Sequence, residues 1–313
     1  MQEQLGIIGA GVSGLTCAVL FAERGYRTRI LAEEIGPSLT SAAAGAIWFP
    51  YDAEPFDAVI AWSLETFAVL QGLSRTPESG VSMIELRHFV RTGEIKIPPW
   101  AISLGAQRLD PASIPHCFAS GFTLEVPLTD TTIYLDYLAA RFRRAGGEIQ
   151  AGMRFDHLEE ISAEYSMVIN CTGVGARTLL PDPAVEPHRG QVVIVARTPA
   201  NHGIVCNDPP LMYAIPRAGD CVFGGTNEVS SNRKPDSATT AAIVAECSRV
   251  LEIAPPDVLG KRVGLQPFRR LGVCLRADHL CDGRRVIHNY GHGGSAFPLS
   301  WGCAQAVFDL ALN

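Results

Sequence analysis

No apolar run in this 313-residue sequence reaches the roughly 20 residues that a bilayer requires, so a membrane-spanning protein is not expected. Cysteine is present but unorganised. The nine residues, an odd number, show no CxxC spacing and no matching histidine cluster, which argues against a disulfide framework or a metal site. A reducing cytoplasm is the compartment expected of such thiols. Positive charge is scarce: 26 Lys and Arg against 32 Asp and Glu leave a net charge of −6 and no basic stripe, so nucleic acid is not an expected partner. Met1 to Gln4 carries no positive side chain, and the apolar start is therefore expected to be a buried strand rather than an export signal. Internal repeats, low-complexity tracts and a terminal peroxisomal address are also missing.

What the sequence has is apolar residue, 47% of the chain, and a length beyond that of one compact domain, so two lobes or an enlarged single domain are expected. Leu5 to Leu15 reads as a short apolar strand running into Gly9, Gly11 and Gly14, the fingerprint of a dinucleotide-binding turn. Gly9 permits the turn, Gly11 lets backbone approach a pyrophosphate, and Gly14 lets the next helix pack on the strand. A helix Val12 to Glu23 follows, Gly25 ends it, and a strand Thr28 to Ala32 stops at Glu33 and Glu34. An acidic side chain at that distance accepts hydrogen bonds from a ribose hydroxyl.

Further along, small residues fill a loop at Thr40 to Ala46, and helices are expected at Phe56 to Leu73, Ile133 to Ala145 and Ala296 to Leu312. The Pro-rich stretch 74–130 reads as short strand pieces, Leu86 to Arg91 the clearest. Strands are also expected at 148–151, 167–171, 189–195, 212–216, 221–225 and 286–289. The fold class is α/β: a Rossmann-like cofactor domain from the discontinuous segments 1–52, 131–186 and 262–313, with a mostly antiparallel α+β substrate domain from 53–130 and 187–261.

Several strings, in order, resemble the D-amino acid oxidase branch of FAD-dependent amine and amino-acid oxidases over nearly the full length. They are Gly9 to Gly14, Ala43-Ala44-Gly45 with Trp48 and Pro50-Tyr51, Asn170 to Gly173, Arg189-Gly190-Gln191, Tyr213 to Pro216, Gly224-Gly225-Thr226, His288 to Gly294, and Trp301-Gly302-Cys303. The resemblance implies noncovalent FAD and oxidation of a C–N bond to an imine by hydride transfer to flavin, with O2 reoxidising the flavin to give H2O2. It implies a small-molecule amine or amino-acid substrate; a homodimer is a compatible assembly. The implied cofactor contacts are Gly9, Ala10, Gly11, Val12, Ser13, Gly14, Glu33, Glu34, Thr40, Ser41, Ala44, Gly45, Ala46, Phe155, Thr172, Gly173, His288, Gly293, Gly294, Ser295 and Ala296. His288 and His292 are expected to support the structure or the cofactor rather than to act as bases.

The implied catalytic set is Tyr213, Gln266, Asn227 and Gly294. Tyr213 matches a tyrosine whose hydroxyl meets the substrate carboxylate in that family. Gln266, however, occupies the place of the carboxylate-binding arginine, and a neutral amide gives neither the charge nor the two-pronged geometry of a guanidinium. Asn227 and Cys274 also stand at or near places where relatives carry pocket-lining tyrosine or arginine. Three readings follow: an oxidoreductase for an amine or amino-acid derivative with its carboxylate masked or absent, a D-amino acid oxidase using Arg217, Arg269 or Arg270 instead, or a flavin-binding protein without catalysis.

Overall fold

The structure, a computed structural model, describes residues 4–313. Along the chain run β1 (Gln4–Ile8), α1 (Val12–Glu23), β2 (Arg27–Ala32), α2 (Phe56–Leu73), β3 (Val81–Val90), α3 (Pro99–Ser103), β4 (Gln107–Arg108), β5 (Ser120–Thr129) and α4 (Thr131–Arg144). Then come β6 (Glu148–Ala151), β7 (Tyr165–Asn170), α5 (Ala176–Leu179), β8 (Val185–Ala196), β9 (Gly203–Cys206), β10 (Met212–Pro216), β11 (Asp220–Gly224) and β12 (Glu228–Val229). The chain closes with α6 (Ser237–Leu251), β13 (Val258–Arg269), β14 (Cys274–His279), β15 (Arg285–Tyr290) and α7 (Ala296–Leu312).

Two sheets form. The first has six strands in the order β14-β15-β7-β1-β2-β6, parallel except for β14. Its central strand β1 is buried, and α1, with ten of its twelve residues buried, lies between that sheet and helices α4 and α7. The second sheet has nine strands and is antiparallel except where β3 meets β9, with β13 running along nearly the whole of β8. The mixed α/β architecture with a parallel cofactor sheet and a mostly antiparallel second sheet is as the sequence implies.

The segment boundaries shift in two places. Residues 262–269 belong to the second sheet, because β13 is an edge strand of it; Pro267, which has no N–H to donate, is tolerated at such an edge. Helix α2, expected in the substrate lobe, packs chiefly on α7 and also on β3 and β5 of the second sheet, and buries Val59, Ser63, Thr66, Phe67 and Leu70. The Thr66 hydroxyl accepts from the Trp301 and Gly302 amides at 3.1 and 3.0 Å. By length and mean hydropathy, 18 residues at 1.2, α2 meets the lower limit for crossing a membrane, contrary to the expectation from sequence. It nevertheless carries Asp57 and Glu65, and its apolar face packs on α7, β3 and β5.

The α2–α7 contact depends on a missing side chain. A Cβ at Gly302 would lie 2.2 Å from the Trp62 carbonyl oxygen and 2.5 Å from its Cα, both backbone atoms that cannot swing aside. Gly302→Ala is therefore expected to destabilise the protein by about 1–3 kcal/mol, the usual cost of overpacking. Thermal unfolding of the FAD-loaded protein checks this, and an unchanged midpoint contradicts the packing account.

Candidate functional site

Both sheets contribute to one cavity of about 630 Å³, which opens where β1, β2 and β7 end and continues to the face of β10 and β13. Gly9 sits at φ +105°, and a Cβ there would approach the Cys171 carbonyl oxygen to 2.5 Å, so the turn admits only glycine. The N-cap residue of the helix that follows, Gly11, has no side chain to cap it; the Ser41 hydroxyl accepts from the Val12 N–H at 3.0 Å, and the rest of the first turn of α1 faces the cavity through Gly11, Val12 and Ser13. Uncapped amides at the positive end of a helix dipole suit a pyrophosphate. Ala10, Thr40, Ala44, Gly45, Ala46, Thr172 and Gly173 complete this part of the wall.

At one end lie Glu33, Glu34, Phe155, Arg154 and Arg233. The two carboxylates are not equivalent. Arg233 grips Glu34 through both oxygens, at 2.9 and 2.8 Å, and that hydrogen bonding holds the Glu34 carboxyl below its usual pKa. Glu33 has only an exposed contact with Arg154 at 3.3 Å, which leaves it the freer acceptor for a ribose hydroxyl.

The other end is neutral. Tyr213 on β10 lies against Gly224, where a Cβ would come within 2.0 Å of the ring, and burial raises the phenol pKa so that the hydroxyl keeps its proton. Gln266 on β13, paired in register with His188, lies between Gly190 and Gly294; its Oε1 is buried with no hydrogen-bond partner among the described residues. Asn227 accepts from His188 Nδ1 at 2.8 Å and donates to the Tyr51 hydroxyl at 3.3 Å and Asp52 at 3.4 Å. Gly293, Gly294 and Ala296, at the start of α7, close the wall.

Of the implied cofactor contacts and catalytic residues, three do not line the cavity. Gly14 serves the turn itself, since a Cβ there would fall 2.0 Å from the Gly9 carbonyl oxygen. His288 points to the opposite side of β15 from its cavity-lining neighbour Asn289, because successive strand residues alternate faces. Its ring meets the Asn170 amide at 3.3 Å, and Asn170 in turn accepts from Thr172 N and Oγ1, so His288 acts at one remove. Ser295 turns its hydroxyl to Tyr51, accepting from the Tyr51 amide at 2.7 Å and donating to the Tyr51 carbonyl. His292 does line the cavity, but burial lowers its pKa to about 4, and Nε2 meets Asn289 Oδ1 at 2.9 Å. Val205, Asn207 and Leu211 also line it and went unmarked in the sequence; nothing in their local pattern separates them from core or loop.

The sequence profile described as FAD dependent oxidoreductase matches residues 4–310. D-amino-acid oxidases of Rubrobacter xylanophilus and Streptomyces coelicolor are each 39% identical to the chain over 311 residues, covering 97% of it and 94% and 95% of their own lengths. A human D-aspartate oxidase is 29% identical, covering 98% of this chain and 94% of its own. Among solved structures, glycine oxidase from Geobacillus kaustophilus superposes with a TM-score of 0.82 over 99% of this chain and 95% of its own, at 16% identity, a likeness of fold alone.

The one cysteine lining the cavity, Cys171, is a buried thiol whose pKa is raised by Cys17 and by desolvation, so no thiolate is poised to attach a flavin. Acid precipitation is expected to release intact FAD and leave apoprotein. Titrating that apoprotein, Glu33→Ala should bind FAD more weakly by about 1.5–3 kcal/mol, the range for losing a hydrogen bond to a charged group. Flavin left in the pellet, or unchanged affinity, contradicts the respective assignment.

Proposed function

The chain belongs to the family of FAD-dependent oxidoreductases of the D-amino acid oxidase type, and from that membership we propose that it oxidises the C–N bond of a small amine whose neighbouring carboxylate is masked or absent. The observation that carries this reading is the lack, among the described residues, of a free arginine at the Tyr213 end of the cavity. The two arginines that line it, Arg154 and Arg233, accompany Glu33 and Glu34 at the far end. Arg217 is held by Asp220 at 2.6 and 2.7 Å and by Asp130 at 3.2 Å. Arg269 is paired with Asp182 at 2.8 Å and donates to the Gly272 carbonyl, while Arg270 reaches Glu186 at 3.2 Å. Negative charge lies behind the wall: His188, which bonds Asn227, is 3.9 Å from Asp52 and 3.8 Å from Glu186. A carboxylate entering here finds neutral donors but no cation to pair with, and meets like charge beyond.

FAD is the cofactor, and when bound it supplies the two-electron acceptor for the hydride leaving the carbon that bears nitrogen. The chain's residues orient and desolvate. The uncapped turn of α1 with Ser41 would hold the pyrophosphate, Glu33 the ribose, and the positive end of α7 at Gly293 and Gly294 would favour negative charge developing beside it. Ile47, Phe49, Leu211 and Ile215 supply apolar wall that excludes water. Tyr213 keeps its proton and donates. The reacting amine must be uncharged, and no side-chain base is needed; His292 stays neutral against Asn289. O2 is the proposed final electron acceptor, giving H2O2, and the imine hydrolyses in water. Nine unpaired thiols support a reducing cytoplasm as the location.

The names of the relatives favour a second reading, oxidation of a free D-amino acid. Gln266→Arg separates the two. If the amide is what disfavours free acids, the variant should reduce its flavin faster with D-alanine under anaerobic conditions, since each charge-assisted hydrogen bond regained contributes about 1.5–3 kcal/mol. Rapid reduction of the wild type by D-alanine, with no gain in the variant, supports the second reading instead.

A further inference from the structure

The Gln266 side chain is a cavity-lining polar group at the substrate end whose demands the protein leaves open, with a buried acceptor that finds no donor among the described residues. Its Oε1 is buried without a donor, and its Nε2 lies on the Gly190 side, where a Cβ would approach it to 3.1 Å; neither atom bonds to a described residue. A buried acceptor without a partner costs stability, and native interiors satisfy such groups with protein, water or ligand. The neighbours do not supply the donor in this arrangement. Asn227 spends its N–H groups on Tyr51 and Asp52, the Thr226 hydroxyl bonds the Gln191 amide and the Arg189 carbonyl, and Gly294 beside Oε1 has no side chain.

We propose that the group attached to the reacting carbon is a primary carboxamide, which makes the substrate class an α-amino amide; this rests on the neutral-substrate reading above. A planar amide has one acceptor and a donor pair. A second amide laid edge to edge with Gln266 forms two reciprocal hydrogen bonds, N–H to O in each direction, and satisfies Oε1. The match survives rotation of the Gln266 amide, because both partners carry both functions. Alternative head groups leave Oε1 unpaired: a carboxylate and an ester offer acceptors only, and a simple alkyl amine offers nothing at this position. Discrimination follows the rule that a site built to hydrogen-bond a substrate rejects analogues lacking the group. In the reaction the α-carbon loses a hydride to FAD and the amine loses a proton to solvent as C–N becomes C=N; the carboxamide is unchanged.

The test is anaerobic rapid mixing of the FAD-loaded protein with D-alaninamide, D-alanine methyl ester, isopropylamine and D-alanine, following loss of flavin absorbance. The amide is expected to give a second-order reduction constant at least tenfold above the ester and the alkyl amine, with the free acid slowest. Gln266→Leu, of similar volume, should erase the preference of amide over ester. If ester or amine matches the amide while both exceed the free acid, the neutral-substrate reading stands and the carboxamide assignment falls. If the free acid is fastest, or none of the four reduces the flavin, both fall. A preference for amide that persists undiminished in Gln266→Leu overturns the assignment alone.

Discussion

The ion pair between Arg269 and Asp182 decides what the rest of the site can be. Arg269 closes β13 in the second sheet, Asp182 precedes β8, and Tyr290 at the end of β15 in the first sheet donates to the same carboxylate at 2.8 Å. Burial pushes the Asp182 carboxyl up, but the hydrogen bonds from Arg269 and Tyr290 outweigh it and hold the group below its usual pKa. The three groups lock the two sheets together near the point where the chain crosses from one to the other. A half-buried pair of this kind is costly to break, because each partner would be left without its counter-charge. Arg269 is thereby fixed as a structural cation and withheld from the cavity three residues away at Gln266.

Two electrostatic regimes share the one cavity. At the end of β2, carboxylates and arginines lie in partial exposure, suited to ribose and adenine edges that water also reaches. At the β10 and β13 end, a protonated phenol, two neutral amides and an imidazole with its pKa lowered to about 4 face apolar wall. A cavity that is apolar and neutral where chemistry occurs favours an uncharged amine, and orientation there rests on hydrogen-bond direction rather than on attraction between charges. Residues outside the wall hold it in place: Ser295 fixes the Tyr51 backbone, and His288 steadies Asn170, which positions Thr172.

Elements with one dominant local signal were legible in the sequence. The Gly-rich turn with α1, the apolar periodicities of α2 and α7, and the short strands β6 and β10 stand where the pattern puts them. Strand β13 was not, since Lys261, Arg262, Gln266 and Pro267 break its apolar alternation and only pairing with β8 makes it a strand. Helix α6 is not legible either, although Asp236 caps it through the Thr239 amide at 2.6 Å, because its apolar stripe of Ile243, Val244, Cys247 and Val250 is narrow. At the site, the turn glycines and the place of Glu33 on the cavity wall could be read from spacing. That Arg217, Arg269 and Arg270 are all committed elsewhere could not, because their partners Asp220, Asp130, Asp182 and Glu186 become neighbours largely through tertiary pairing.

The central claim is that the substrate end of the cavity receives a neutral group and offers no cation to an anion. Equilibrium titration of the FAD-loaded protein with propionamide and with propionate, neither of which carries an oxidisable amine, tests this without chemistry, through perturbation of the flavin absorbance. The account predicts that propionamide binds at least tenfold more tightly. Tighter binding of propionate would contradict it and require a cation at Gln266 that the structure does not provide.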